Sequence, residues 1–155
     1  MPVNPGIAGA EADDGEWAIE RFTAMKPAWD AGDFDEVARL ETEVWLAGPH
    51  RSLDAMPPDR VDRMREWLLT SYAKEPWERQ RDLDPATADR LGEITTPTLA
   101  VLGELDLPSL HAIVDLVVER VPGARRAVMS GTAHLSPWED PNGFVTIVRE
   151  FLAGR

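Results

Sequence analysis

Cysteine is absent from the 155-residue sequence. That excludes a disulfide framework, thiolate zinc sites and a cysteine nucleophile, and it fits a reducing compartment. No stretch approaches the roughly 20 consecutive apolar residues that span a membrane. No basic start followed by an apolar run marks a signal peptide, so the expected location is the cytoplasm. Positive charge is scarce: 16 Lys and Arg stand against 28 Asp and Glu, a formal net charge of −12. A surface of that sign repels phosphate backbones and anionic lipid, so neither nucleic acid nor a membrane is expected as a partner. Internal repeats and low-complexity tracts are missing as well.

What is present is a chain with 43% hydrophobic residues, enough for a real core. Residues 1–92 hold 20 of the 28 acidic side chains and 11 of the 16 basic ones. The two signs are interspersed, which reads as solvated helix faces and not as an acidic tail. The hydrophobic pattern changes near residue 92. Residues 1–92 read as a helical region, and residues 93–155 alternate strand and helix.

In the first region, the prolines and glycine of residues 1–6 imply an extended or turn-like start. A helix is expected over about 15–31, with Trp17, Phe22, Met25 and Trp29 at helical spacing. Gly32 ends it. Asp33 is the expected N-cap of the next helix, with Glu36 completing a capping box. That helix carries Phe34, Val37, Leu40, Val44 and Trp45 and stops at Gly48-Pro49. Pro57-Pro58-Asp59 starts a third, with Val61, Met64, Trp67, Leu68 and Tyr72 facing inward and Pro76 breaking it. Asp84-Pro85 is expected to cap and open a short fourth helix to about Leu91.

In the second region, residues 98–103 form a continuous apolar run after Pro97, the pattern of a strand buried on both faces. A helix over about 109–121 follows, with Ile113, Val114, Val117 and Val118 on one side. Pro122-Gly123 is a turn and residues 127–129 a second strand. Residues 131–140 form a loop, and Pro141 opens a last helix through Phe144, Ile147, Val148, Phe151 and Leu152. Strand, helix, strand, helix at these lengths is a parallel crossover.

Asp106 lies three residues past the first strand and His134 just past the second. On parallel neighbours both side chains emerge at the same carboxyl edge, where open α/β sheets bind ligands. A carboxylate beside a histidine fixes its tautomer and stabilises the imidazolium, making it a general base. Position alone also admits a plainer reading, in which Asp106 caps the following helix and His134 is a loop histidine. His50, His111 and His134 form no metal-binding motif, and no cofactor site is indicated.

Residues 94–106, ITTPTLAVLGELD, resemble the penultimate strand and acid loop of the α/β-hydrolase superfamily. Residues 122–141, PGARRAVMSGTAHLSPWEDP, resemble the last strand and histidine loop, and VREFL at 148–152 the closing helix. The ordered set carries the likeness: Pro before the strand, Gly-x-x-Asp after it, then Pro-Gly, Gly-x-x-His and Glu-Asp-Pro. The helical region is similar to a lid inserted before the penultimate strand. VNPGIAG at 3–9 looks like the end of the strand that precedes such a lid. Trp45-Leu-Ala-Gly-Pro49 is similar to lids of bacterial enol-lactone and carbon–carbon bond hydrolases. The resemblance implies a partial α/β-hydrolase fold, with a lid over 1–92 and a β-α-β-α segment of the core over 93–155. It makes Asp106 the acid and His134 the base, with Leu107 and Leu135 bordering the substrate pocket. Glu139 and Asp140 would tie the histidine loop to the final helix, and Trp138 would pack that loop. The eight aromatic side chains from Trp17 to Trp77 suit either helix packing or a lid pocket for apolar substrates.

The family nucleophile sits in Gly-x-Ser-x-Gly at a sharp strand-to-helix turn. None of Ser52, Ser71, Ser109, Ser130 and Ser136 has glycines two residues away on both sides. Ser109 reads as a cap of its helix, and Ser136 has no more claim. The oxyanion-hole loop is not recognisable either, and both elements are expected on strands before residue 1. The parent reaction would be serine-nucleophile hydrolysis of an ester, lactone or related carbonyl, on a small apolar substrate. The chain alone is expected to be inactive. Its expected partners are a matching N-terminal half or another copy of itself. The alternative is a non-catalytic interaction module derived from a hydrolase.

Overall fold

The computed structural model describes residues 7–73 and 84–154. The expectations for residues 1–6, Pro76 and Trp77 lie outside these residues. The described chain divides into two compact units, 14–73 and 7–13 with 84–154.

The first unit is helical. Helix α1 spans Glu16–Asp30 and buries Ala18 and Met25. Helix α2 spans Phe34–Thr42, and Asp33 caps it by accepting the Glu36 amide at 3.1 Å. The reciprocal half of the expected capping box does not form: the Asp33 amide donates to the Ala28 carbonyl at 2.9 Å, and the Glu36 carboxylate is held by Arg39 at 2.7 Å. The helical run continues to Ala47, as the pattern implied, but its last turn is π-helical over Glu43–Ala47. The amide of Gly48 reaches back five residues to the Glu43 carbonyl. Gly48 then ends the run at φ 73°, a conformation that suits glycine. Helix α3 covers Pro58–Tyr72, with proline in its first turn. Of its expected inward stripe Met64 is buried, while Trp67 is 49% exposed.

Two polar groups break the apolar pattern of this unit. Glu41 and Thr42 are both buried. Thr42 donates its hydroxyl to the Ala38 carbonyl at 2.6 Å, one helical turn back. Burial pushes the Glu41 carboxyl up to about 7, partly offset by the Tyr72 phenol beside it. Burial, with the neighbouring Glu41, raises the Tyr72 phenol in turn. The Tyr72 hydroxyl has no partner within hydrogen-bond limits among the described residues. Tyr72 also packs edge-on against Trp29, with ring centroids 5.3 Å apart.

The second unit contains the sheet. The expected α-helix after Asp84-Pro85 is instead a 3₁₀ turn over Thr87–Glu93. It closes with i→i+3 bonds such as Asp89 N to Ala86 O. Strand β1 (Leu99–Gly103), helix α4 (Pro108–Arg120) and strand β2 (Arg125–Met129) form the expected parallel crossover. Their register pairs Leu99 with Arg125 and Gly103 with Met129. A four-residue helix α5 (Ser136–Glu139) lies within the expected loop, and helix α6 spans Pro141–Ala153. Asp140 caps α6 by accepting the Gly143 amide at 2.9 Å.

Alternate residues of β2 face opposite helices, as strand geometry requires. Arg126 reaches Asp115 of α4 at 2.6 Å, whereas Arg125 reaches the Phe151 carbonyl of α6 at 3.4 Å. The expectation that β1 is buried on both faces holds only at its end. Leu102 and Gly103 are buried, but Leu99, Ala100 and Val101 are partly exposed. The reason is topological: among the described residues β1 has β2 as its one neighbour. Helix α6 shows the same effect, since none of its side chains is buried.

Candidate active site

Past the last rung of the ladder the chain turns away from each strand, and the two loops stay joined. The Glu104 amide donates to the Met129 carbonyl at 3.0 Å, and the Leu105 amide to Thr132 at 2.9 Å. Gly103 makes this approach possible. A β-carbon there would overlap the carbonyl oxygens of both Thr132 and Ala133. The glycine of Gly-x-x-Asp therefore lets the histidine loop lie directly on the end of β1.

Asp106 and His134, 28 residues apart in sequence, meet on this platform. His134 Nδ1 lies 3.1 Å from Asp106 Oδ2. The Asp106 side chain is 5% exposed and that of His134 29%. Asp106 Oδ1 accepts the Leu107 amide at 2.9 Å. The carboxylate is thus held at both oxygens, one by the start of α4 and one by the imidazole. An ionised Asp106 can only accept, so Nδ1 carries the hydrogen in this pairing. Nε2 is the ring nitrogen that Asp106 does not hold.

The remaining polar groups of the histidine loop brace it. Glu139 Oε1 accepts the Ala133 amide at 2.7 Å, and Asp140 caps α6. These two contacts link the loop to α5 and α6. Glu104, which the sequence pattern did not single out, accepts the Ser130 hydroxyl at 2.6 Å and the Gly131 amide at 2.9 Å. Both bonds hold its carboxyl below the ordinary range. The available signal was a carboxylate after the strand glycine, paired in register with a Ser-Gly turn after the second strand. Leu107 is buried at 1% exposure and Leu135 is partly exposed. Trp138 is partly exposed in α5.

The serines are placed as follows. Ser109 is not the helix cap expected of it; Leu107 holds that position. Ser109 is fully buried, and its hydroxyl has no hydrogen-bond partner among the described residues. Ser136 is buried, donates to the Ala133 carbonyl at 2.7 Å and accepts from Thr132 Oγ1 at 2.9 Å. Ser130 is engaged by Glu104. Among the described residues no group of three or more His, Asp or Glu side chains could hold a metal ion. His111 instead lies on the surface with Nδ1 3.1 Å from Arg126 Nη2. A groove of about 560 Å³ runs beside α4, lined by Glu11, Ile113, Leu116 and Arg120 among others. Neither Asp106 nor His134 lines it. No described helix is long and apolar enough to cross a membrane.

No protein-family model matches the chain. The proline iminopeptidase of Saccharolobus solfataricus is 25% identical over 137 residues, which cover 84% of this chain and 44% of that protein. A hydrolase from Pseudomonas aeruginosa superposes with a TM-score of 0.60 at 26% identity, over 91% of this chain and 52% of that one. The enol-lactonase of Burkholderia xenovorans shares the fold, with a TM-score of 0.56 at 19% identity over 89% of this chain and 50% of its own. The chain is related to the α/β-hydrolase superfamily and spans about half the length of these relatives.

Proposed function

We propose that Asp106 and His134 are the acid and base of a serine-hydrolase triad acting on an ester, lactone or related carbonyl compound. The nucleophile and the oxyanion hole would be supplied by residues outside this sequence. The carrying observation is the 3.1 Å contact between His134 Nδ1 and the buried Asp106 carboxylate. In the reaction a serine hydroxyl attacks the carbonyl carbon as its proton passes to His134 Nε2. Asp106 stabilises the imidazolium that forms. The imidazolium then protonates the leaving alcohol, and the same pair activates the water that releases the acid. In this reading the helical residues up to 92 serve as the lid, and Leu107 and Leu135 border a pocket for a small apolar substrate. A cysteine-free chain suits a reducing compartment, and the cytoplasm is the proposed location.

A second reading, a non-catalytic interaction module, draws on α6, none of whose side chains is buried. Co-expression distinguishes the two. The partner polypeptide is the front half of the Pseudomonas hydrolase, cut before the region this chain matches. Turnover of p-nitrophenyl acetate by the co-purified pair, lost in His134→Gln, supports the hydrolase reading. A co-purified pair that labels with a fluorophosphonate but turns over equally with His134→Gln overturns it.

A further inference from the structure

We propose that Glu104 is a positioning residue for the histidine loop, and that it keeps the Asp106–His134 pair assembled within this chain before any nucleophile is present. The proposal rests on the reading of Asp106 and His134 as acid and base. Beyond Gly103 and Met129 the ladder ends, and backbone bonds resume at Leu105 and Thr132. Between them Ser130 and Gly131 reverse the chain, with Gly131 at φ 70°. The Glu104 carboxylate spans this gap, taking the Ser130 hydroxyl and the Gly131 amide on the one oxygen, Oε2. From the other side Glu139 holds the Ala133 amide at 2.7 Å. His134 therefore follows a loop pinned on both sides by carboxylates, one of them within the acid's own loop.

Glu104 is exposed, so water can replace it at both donors and little stability is at stake. What its removal frees is the position of the turn. A hydrogen bond between a ring nitrogen and a carboxylate weakens steeply with angle, so loop drift should register first at His134. This separates positioning from a merely structural contribution.

The test is nuclear magnetic resonance of the imidazole nitrogens and their protons in the full chain at neutral pH, with His134→Gln to assign the signal. The wild type should show His134 protonated at Nδ1, with a protected, downfield proton. In Glu104→Ala that proton should exchange about tenfold faster as the loop opens locally, while the melting temperature and far-ultraviolet spectrum stay unchanged. Glu104→Gln keeps an acceptor oxygen and should recover part of the protection. If Glu104→Ala does not fold, Ser130→Ala removes one donor and should speed exchange about threefold. Unchanged exchange, or exchange that follows only the melting temperature, overturns the proposal. Asp106→Asn separates the two levels. If the His134 signal is the same in that variant, the acid–base reading fails, whatever Glu104 does.

Discussion

Gly103 lies against the Ala133 carbonyl so closely that no β-carbon fits between them. The contact sets the histidine loop on the end of β1 and so fixes how near His134 comes to Asp106. Gly103→Ala should force the two loops apart. Overpacking of this kind costs about 1–3 kcal/mol. Urea unfolding should show the loss, and the Nδ1 proton of His134 should lose its protection. Wild-type stability with an undisturbed His134 signal would show that the loop has another route over β1.

The pairing of Asp106 with His134 sets the expectation for activity. The chain alone should turn over no p-nitrophenyl ester and take no fluorophosphonate label, because the sequence holds no Gly-x-Ser-x-Gly and the hydroxyls of Ser130 and Ser136 are engaged by Glu104 and Ala133 while that of Ser109 is buried without a partner among the described residues. In the reconstituted pair, Asp106→Asn keeps the shape but loses the charge and the tautomer control. Turnover should drop by up to about ten-thousandfold, with co-elution of the two polypeptides intact. Stoichiometric labelling of a serine in the chain alone would contradict the first expectation. Turnover that Asp106→Asn leaves intact would contradict the second.

Glu41 makes the helical unit sensitive to pH. Its carboxyl rises from 4.5 to about 7 on folding, chiefly through burial. Between those values the folded chain keeps a proton that the unfolded chain has released. Stability therefore falls as pH rises through that window and levels off above it, by roughly 3 kcal/mol in all. Glu41→Gln should match the wild type in acid, exceed it at about pH 8 and flatten the profile between. Chemical denaturation at a series of pH values checks this, and parallel profiles for the two proteins would refute it.

Helix α6 leaves Val145 42% and Leu152 51% exposed, and β1 has one neighbour among the described residues. Apolar surface and an open strand edge of this kind favour association. The purified chain should bind a hydrophobic-surface dye and elute as an oligomer or a loosely packed monomer, changing to a compact species with the front half of a hydrolase. Light scattering, dye fluorescence and a thermal melt read the outcome. A monodisperse monomer with a sharp melt and no dye binding would favour the independent module.

The elements of the chain were legible in its sequence because their signals are local. Asp33 marks the start of α2 and Pro141 opens α6, since caps and prolines act within one turn; the start of α4 was read one residue late, with Ser109 as its cap where Leu107 holds that place. The apolar run at β1, the turn at Pro122-Gly123 and the order of Asp106 and His134 were equally readable. The 3₁₀ turn at Thr87–Glu93 and the π-turn at Glu43–Ala47 were not, because hydrophobic spacing does not distinguish i→i+3 or i→i+5 bonding from the α-helical kind over so few residues. Tertiary structure decided what depends on distant residues. Glu41 stands among solvated acids in the sequence and becomes buried beside Tyr72 only when α2 and α3 pack. Glu104 looks like one more surface carboxylate until parallel pairing brings Ser130 and Gly131 across from it. The 3.1 Å contact of Asp106 and His134 follows from the register of β1 on β2, since a parallel pair sends both loops off the same edge and Gly103 lets them touch.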